Sequence, residues 1–129
     1  MKLLRELLEL NEVTRQQLVD VEAFADRLWG KLGIEVTFTK HFIERLHHER
    51  NGKEITAAEL IRLFKKEYEQ YGKEVKQIDD EGTAVFTDLL TDVNLPFVVK
   101  DDGGEKELIA KTVMRKKGFT TSTQMYKVK

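Results

Sequence analysis

At 129 residues the chain has the size of one domain around a single core, and its 40% hydrophobic content can fill one. The 35% charged content points to long solvated helices, and the absence of cysteine excludes a disulfide framework and thiolate metal ligation, which fits a reducing compartment. No apolar run approaches the roughly 20 residues of a membrane helix and no apolar signal region is visible, so a soluble intracellular protein without a membrane partner is expected.

The net charge of −1 is unevenly spread. Residues 1–33 carry five basic and six acidic side chains, residues 34–104 carry ten and fifteen, and residues 105–129 carry seven and two. A basic carboxy-terminal end on an otherwise acidic chain points to an anion, with nucleic acid as the first candidate and a solvated lysine-rich surface as the plain alternative.

In chain order, residues 1–12 (MKLLRELLELNE) form a short amphipathic piece, too short to be stable alone. It is read as a docking helix or leader ahead of a single α+β domain at 13–129. Thr14 with Gln17 makes a capping box that opens a helix to about Leu32, stopped by Gly33. Leu18, Val21, Phe24, Ala25, Leu28 and Trp29 supply its buried stripe. Ile34, Val36 and Phe38 alternate with Glu35 and Thr37 as a short strand.

The stretch Thr37 to Arg50 (TFTKHFIERLHHER) holds all three histidines of the protein, His41, His47 and His48. As a helix starting after Thr39 and ended by Asn51-Gly52, it sets His41, Arg45 and His48 at i, i+4 and i+7 on one face. Phe42, Ile43 and Leu46 take the adjoining face and dock it on the core.

Thr56 and Glu59 form a second capping box, and the helix that follows ends at Gly72, with Arg62, Lys65, Lys66, Glu67 and Glu69 as its solvated face. Lys73 to Thr83 is turn-like. Its acidic run at Asp79 to Glu81 lacks the alternating oxygen ligands of a calcium loop. Ala84 to Leu90 fits a helix or a strand equally. Asn94-Leu95-Pro96 reads as a turn. Phe97 to Lys100, the turn Asp101 to Gly104 and Glu107 to Met114 read as a β-hairpin, and Gln124 to Val128 as a last strand. The expected fold class is α+β: amino-terminal helices packed on a small antiparallel sheet of three to four strands.

The helix face of His41, Arg45 and His48 and the late segment Lys111 to Lys117 could face one another across such a domain. In a strand, Lys111, Val113 and Arg115 project to one side and Thr112 and Met114 to the other. These groups suit a metal-independent ribonuclease. One group takes the 2′-hydroxyl proton, a second protonates the leaving oxygen, and a cation stabilises the phosphorane charge. His41 and His48 suit the proton roles, Arg45 and Arg115 the phosphate, and Thr112 its positioning. Lys111, Arg115, Lys116, Lys117 and Tyr126 make a nucleic-acid-binding set, with Phe119 and Tyr126 able to stack bases. The duller reading makes the histidines surface residues that favour the helix dipole. No His-Glu-x-x-His pattern, phosphate loop or dinucleotide fingerprint is present, so neither metal nor cofactor is expected.

The runs FTKHFIER (38–45), ITAAEL (55–60), TDVNLPF (91–97) and LIAKTVMRK (108–116) resemble a group of small proteins of large tailed bacteriophages, over residues 25–129. More broadly, the layout is similar to the barnase, EndoU, colicin and RelE-like ribonuclease superfamily. That likeness implies His41 and Arg45 as its helical His-x-x-x-Arg, Thr112 as the threonine of its penultimate strand and Tyr126 as its last-strand polar position. Leu-x-Glu at Leu4, Leu7 and Leu10 resembles the leaders cut from phage internal proteins in the prohead. The resemblance therefore implies a phage protein of the host cytoplasm, or one packaged in the virion. It would act as an endoribonuclease on RNA, leaving 2′,3′-cyclic phosphate ends. The alternative is a non-catalytic accessory protein of host takeover that binds a host protein or nucleic acid.

Overall fold

Helix α1 spans Lys2–Gly30, a 29-residue run with no proline and with glycine only at its end. The computed structural model describes residues 2–46 and 54–129, and residues 2–14 by their backbone alone. One expectation fails here: the helix passes through Thr14 without a new start. Good helix formers on both sides of Thr14 carry the helix across it. The stripe of Leu18, Val21, Ala25 and Trp29 is buried as expected, and the chain turns after Gly30 through Gly33 at φ +76°.

The expectation of a small antiparallel sheet behind amino-terminal helices needs correction. β1 (Ile34–Phe38) precedes both later helices, α2 (Lys40–Leu46) and α3 (Ala57–Lys76). Then follow β2 (Thr83–Asp88), β3 (Val93–Asp102), β4 (Glu105–Ala110), β5 (Met114–Arg115) and β6 (Gln124–Val128). They form one six-stranded mixed sheet in the order β1-β4-β3-β2-β6, with β5 beside the start of β3. The β2–β3 and β3–β4 pairs are antiparallel, and the outer pairs β1–β4 and β2–β6 are parallel. The outer pairs join segments far apart in sequence, which local alternation does not encode.

Alternation along each strand sends Ile34, Val36, Phe38, Ala84, Phe86, Leu95, Phe97, Val99, Leu108, Tyr126 and Val128 into one core with the buried stripes of α1 and α3. Aromatic rings join the layers: Trp29 stacks on Phe86 at 5.6 Å and meets Tyr68 edge-on at 5.7 Å. On the sheet's other face, buried Asn94 accepts from the Thr87 hydroxyl at 2.9 Å and donates to the Lys116 carbonyl at 3.0 Å, holding the start of the connection to β6.

Three local readings change as well. Gly72 does not stop α3. It lies buried inside the helix, where a Cβ would come within 2.9 Å of the Leu32 side chain, so it serves close approach rather than termination. Glu67 is not solvated surface but fully buried, while Arg62 pairs with buried Asp88 at 2.9 Å. Asn94, Leu95 and Pro96 are not a turn but part of β3; the turn lies earlier, where Asp92 takes φ +63° and the Asp88 carboxylate accepts from the Leu90 N–H at 2.9 Å. The hairpin expected around Gly103-Gly104 is present, both glycines at positive φ as a two-residue turn requires.

Candidate functional site

Pro96 determines how the site is assembled. The β3–β4 ladder pairs Phe97 with Ala110, and Lys111 makes one further bond, its N–H donating to the Pro96 carbonyl at 3.0 Å. The return bond cannot form because proline has no N–H. The Lys111 carbonyl instead accepts from the Thr39 hydroxyl at 3.1 Å. The same hydroxyl accepts from the Phe42 N–H at 3.1 Å and so caps α2. The start of α2 is thereby fastened to the point where the chain leaves β4.

Along α2, Phe42 and Leu46 are buried, with the Phe42 ring 4.5 Å from Phe38. That leaves His41 exposed, one turn before Arg45, whose Nε donates to His41 Nε2 at 3.3 Å. The Thr39 bond thus ties the start of the helix that carries His41 and Arg45 to the loop after β4, where Lys111 is exposed and Thr112 half-buried. His48, His47 and the expected Asn51-Gly52 helix end lie outside the described residues.

The late basic segment is not the continuous strand expected. Residues 111–113 leave the sheet, Val113 is buried in the core, and pairing resumes only at Met114 and Arg115. Lys111 and Arg115 therefore do not share a strand face. Arg115 is also committed elsewhere. Its guanidinium grips Glu59 through both nitrogens, at 2.9 and 2.8 Å, and donates to the Thr91 and Glu54 carbonyls at 2.7 and 3.0 Å. This pair holds the Glu59 carboxyl down to about 2, against the opposing effect of burial. Glu59 accepts at the same time from the Thr56 N–H in the capping box that opens α3. Arg115 is a fastener between β5 and α3, and a phosphate would have to displace a bidentate carboxylate to reach it.

Lys116 and Lys117 carry exposed side chains. Tyr126 is 8% exposed, packed on Tyr71 at 5.1 Å and near Phe86 at 6.3 Å, with burial raising its hydroxyl pKa. Its ring has no free face for a base, and it sits on β6, across the sheet from β1 and α2.

Sequence reasoning missed three groups. Thr39 was readable as a helix cap but not as a tie to Lys111. Glu22 and Asp26, four residues apart on α1, accept from the outward N–H groups of Phe38 and Val36 at 2.7 and 3.0 Å. Among the described residues, neither Glu67 oxygen has a hydrogen bond of good geometry, and the same holds for the indole nitrogen of buried Trp29. Burial pushes the Glu67 carboxyl up to about 10, the neighbouring Asp88 charge adds to this, and the Thr87 backbone opposes it only in part. The signal for Glu67 was its spacing with Leu60, Leu63, Phe64 and Tyr71.

Among the described residues, no three His, Asp or Glu side chains are grouped to hold a metal ion, and no helix is long and apolar enough to cross a membrane. No family model, no curated protein and no solved structure matches the chain.

Proposed function

We propose that the end of the molecule formed by α2 and the loop after β4 binds RNA through its phosphates, in a bacteriophage accessory protein working in the host cytoplasm. The observation that carries this reading is the Thr39–Lys111 bond. It ties the start of the helix that bears exposed His41 and half-buried Arg45 to the loop that bears exposed Lys111 and half-buried Thr112, upstream of the exposed Lys116 and Lys117. Cationic and hydroxyl donors of this kind suit a phosphate backbone and carry no base-specific readout.

Binding to single-stranded RNA should weaken steeply as salt rises, because each phosphate contact releases counterions. A double change of Lys111 and Arg45 to alanine should lower both the affinity and the salt slope. RNA left unbound at low salt by folded protein would reject the reading in favour of a host protein as the partner.

A catalytic version is favoured by one observation, the acceptor role of His41 Nε2 toward Arg45. An imidazole beside a guanidinium suits a general base and its phosphate anchor. Because Arg45 takes up the Nε2 lone pair in this arrangement, a 2′-hydroxyl would have to replace that donor before His41 could accept its proton. Endoribonuclease action would leave 2′,3′-cyclic phosphate ends detectable by mass spectrometry, absent with His41→Ala. RNA bound but intact from pH 5 to 8 would leave binding standing and remove catalysis.

A further inference from the structure

The sheet ends on two edges that the chain treats differently. At β1 the outward N–H groups of Val36 and Phe38 are both taken by carboxylates of α1. At β6 the register is fixed by the Leu89 N–H donating to the Val128 carbonyl at 2.8 Å. In a parallel pair, alternate residues turn their backbone groups to the same neighbour. Gln124, Tyr126 and Val128 therefore face β2, and Met125 and Lys127 turn their N–H and C=O groups outward. The outward carbonyls are occupied: Met125 accepts from the Gln124 side chain at 3.1 Å, and Lys127 from the Tyr71 hydroxyl at 3.0 Å. No group among the described residues accepts from the Met125 and Lys127 N–H groups.

We propose that the β6 edge docks an acidic peptide segment of a partner protein, whose oxygen atoms accept from the Met125 and Lys127 N–H groups. Bare donors beside satisfied acceptors call for a partner rich in acceptors, which is the solution α1 supplies at the other edge. The charges agree, since exposed Lys127 and Lys129 flank these donors. An apolar contact is available at the carboxy-terminal end of β6, where Leu89, 46% exposed, meets Val128 and is followed by Leu90 at 69%. A second copy of the chain fits poorly: it would face donors with donors and bring Lys127 toward its own counterpart. This surface lies across the sheet from α2 and does not depend on the RNA reading.

The test is amide NMR of the full chain with an octapeptide alternating glutamate and valine, beside its lysine–valine counterpart and oligouridylate. The glutamate peptide should shift and protect the Met125 and Lys127 amides, leaving Val36 and Phe38 unchanged. Lys127→Glu should weaken this binding about fivefold, an effect of the size expected for an exposed charge contact. Met125→Pro removes an outward donor without breaking the β2 ladder and should abolish the protection. If that variant does not fold, Lys127→Glu decides alone. Unprotected amides at millimolar peptide, equal binding of the lysine peptide, a response to oligouridylate alone, or protection that grows with protein concentration without peptide would each overturn the proposal.

Discussion

Glu59 and Glu67 stand two turns apart on the same helix and have opposite environments. Glu59, at the amino-terminal turn of α3, holds a guanidinium and the capping-box N–H, and its carboxyl is pulled down to about 2. Glu67, in the middle of the helix, has no hydrogen bond of good geometry to either oxygen among the described residues and is pushed up to about 10. The same side chain thus helps the fold as an anion in one place and is kept neutral by it in the other. The difference lies in the partner: Arg115 returns from β5 to meet Glu59, while Arg62, on the same helix as Glu67, is paired with Asp88.

The contrast gives two pH limbs of opposite sign. Glu67 has a folded pKa above its unfolded value of 4.5, so the folded protein holds a proton that the unfolded chain releases. Its contribution is intact below pH 4.5 and is lost as pH rises toward 10, at about 1.4 kcal/mol per pH unit. Urea titrations should therefore show a fall on the order of 3 kcal/mol between pH 5 and 7. Glu67→Gln should flatten that limb and be more stable than the parent at pH 8. A parent stability that is level from pH 5 to 8 would mean that the carboxylate ionises in place with a partner the fold does not show.

Breaking the other half of the contrast should cost somewhat less. Arg115→Ala leaves the Glu59 carboxylate and the Thr91 and Glu54 carbonyls without their donor, at a cost of about 2 kcal/mol for a half-buried charged network. Glu59 has a folded pKa below its unfolded 4.5, so its contribution is present above pH 4.5 and lost as pH falls toward 2. The variant should accordingly lose stability at neutral pH and lose the steepness of acid unfolding between pH 4.5 and 2. Unfolding monitored by circular dichroism across that range checks both.

A smaller effect is expected where α3 approaches the end of α1. Gly72→Ala would push a methyl against the Leu32 side chain, 2.9 Å from the new Cβ. The gain of roughly 1 kcal/mol in helix propensity competes with overpacking of about 1–3 kcal/mol, so a net loss of about 1 kcal/mol is expected. A variant more stable than the parent would show that Leu32 moves freely.

What the sequence disclosed follows from how local each signal is. The Thr56–Glu59 capping box and the Gly103-Gly104 turn are complete within a few residues, and both were legible. Gly72 and Pro96 were misread because each residue has a second use, close packing in one case and a ladder end in the other. Glu67 was hidden by its neighbours Lys65, Lys66 and Glu69, although its spacing with Leu63, Phe64 and Tyr71 put it on the buried face. At the candidate site, the exposed face of α2 could be read from helical period. The capture of Arg115 by Glu59 could not, because the two residues lie 56 apart in the chain and meet only through the order of strands.

The smallest expected effect on stability falls at α2, and there it separates a surface role from a structural one. His41 is exposed and accepts a hydrogen bond from Arg45 on the same helix, so His41→Ala should change stability by no more than about 0.5 kcal/mol. A change of that size cannot account for a loss of RNA binding or cleavage through unfolding. Thr39→Val, in contrast, keeps the side-chain volume but removes both the α2 cap and the bond to the Lys111 carbonyl. It should cost about 1–2 kcal/mol and loosen α2 from the loop. If the phosphate site depends on that juxtaposition, Thr39→Val should weaken RNA binding with every cationic side chain still in place. Unchanged affinity in this variant would mean that His41, Arg45 and Lys111 act as separate surface charges rather than one site.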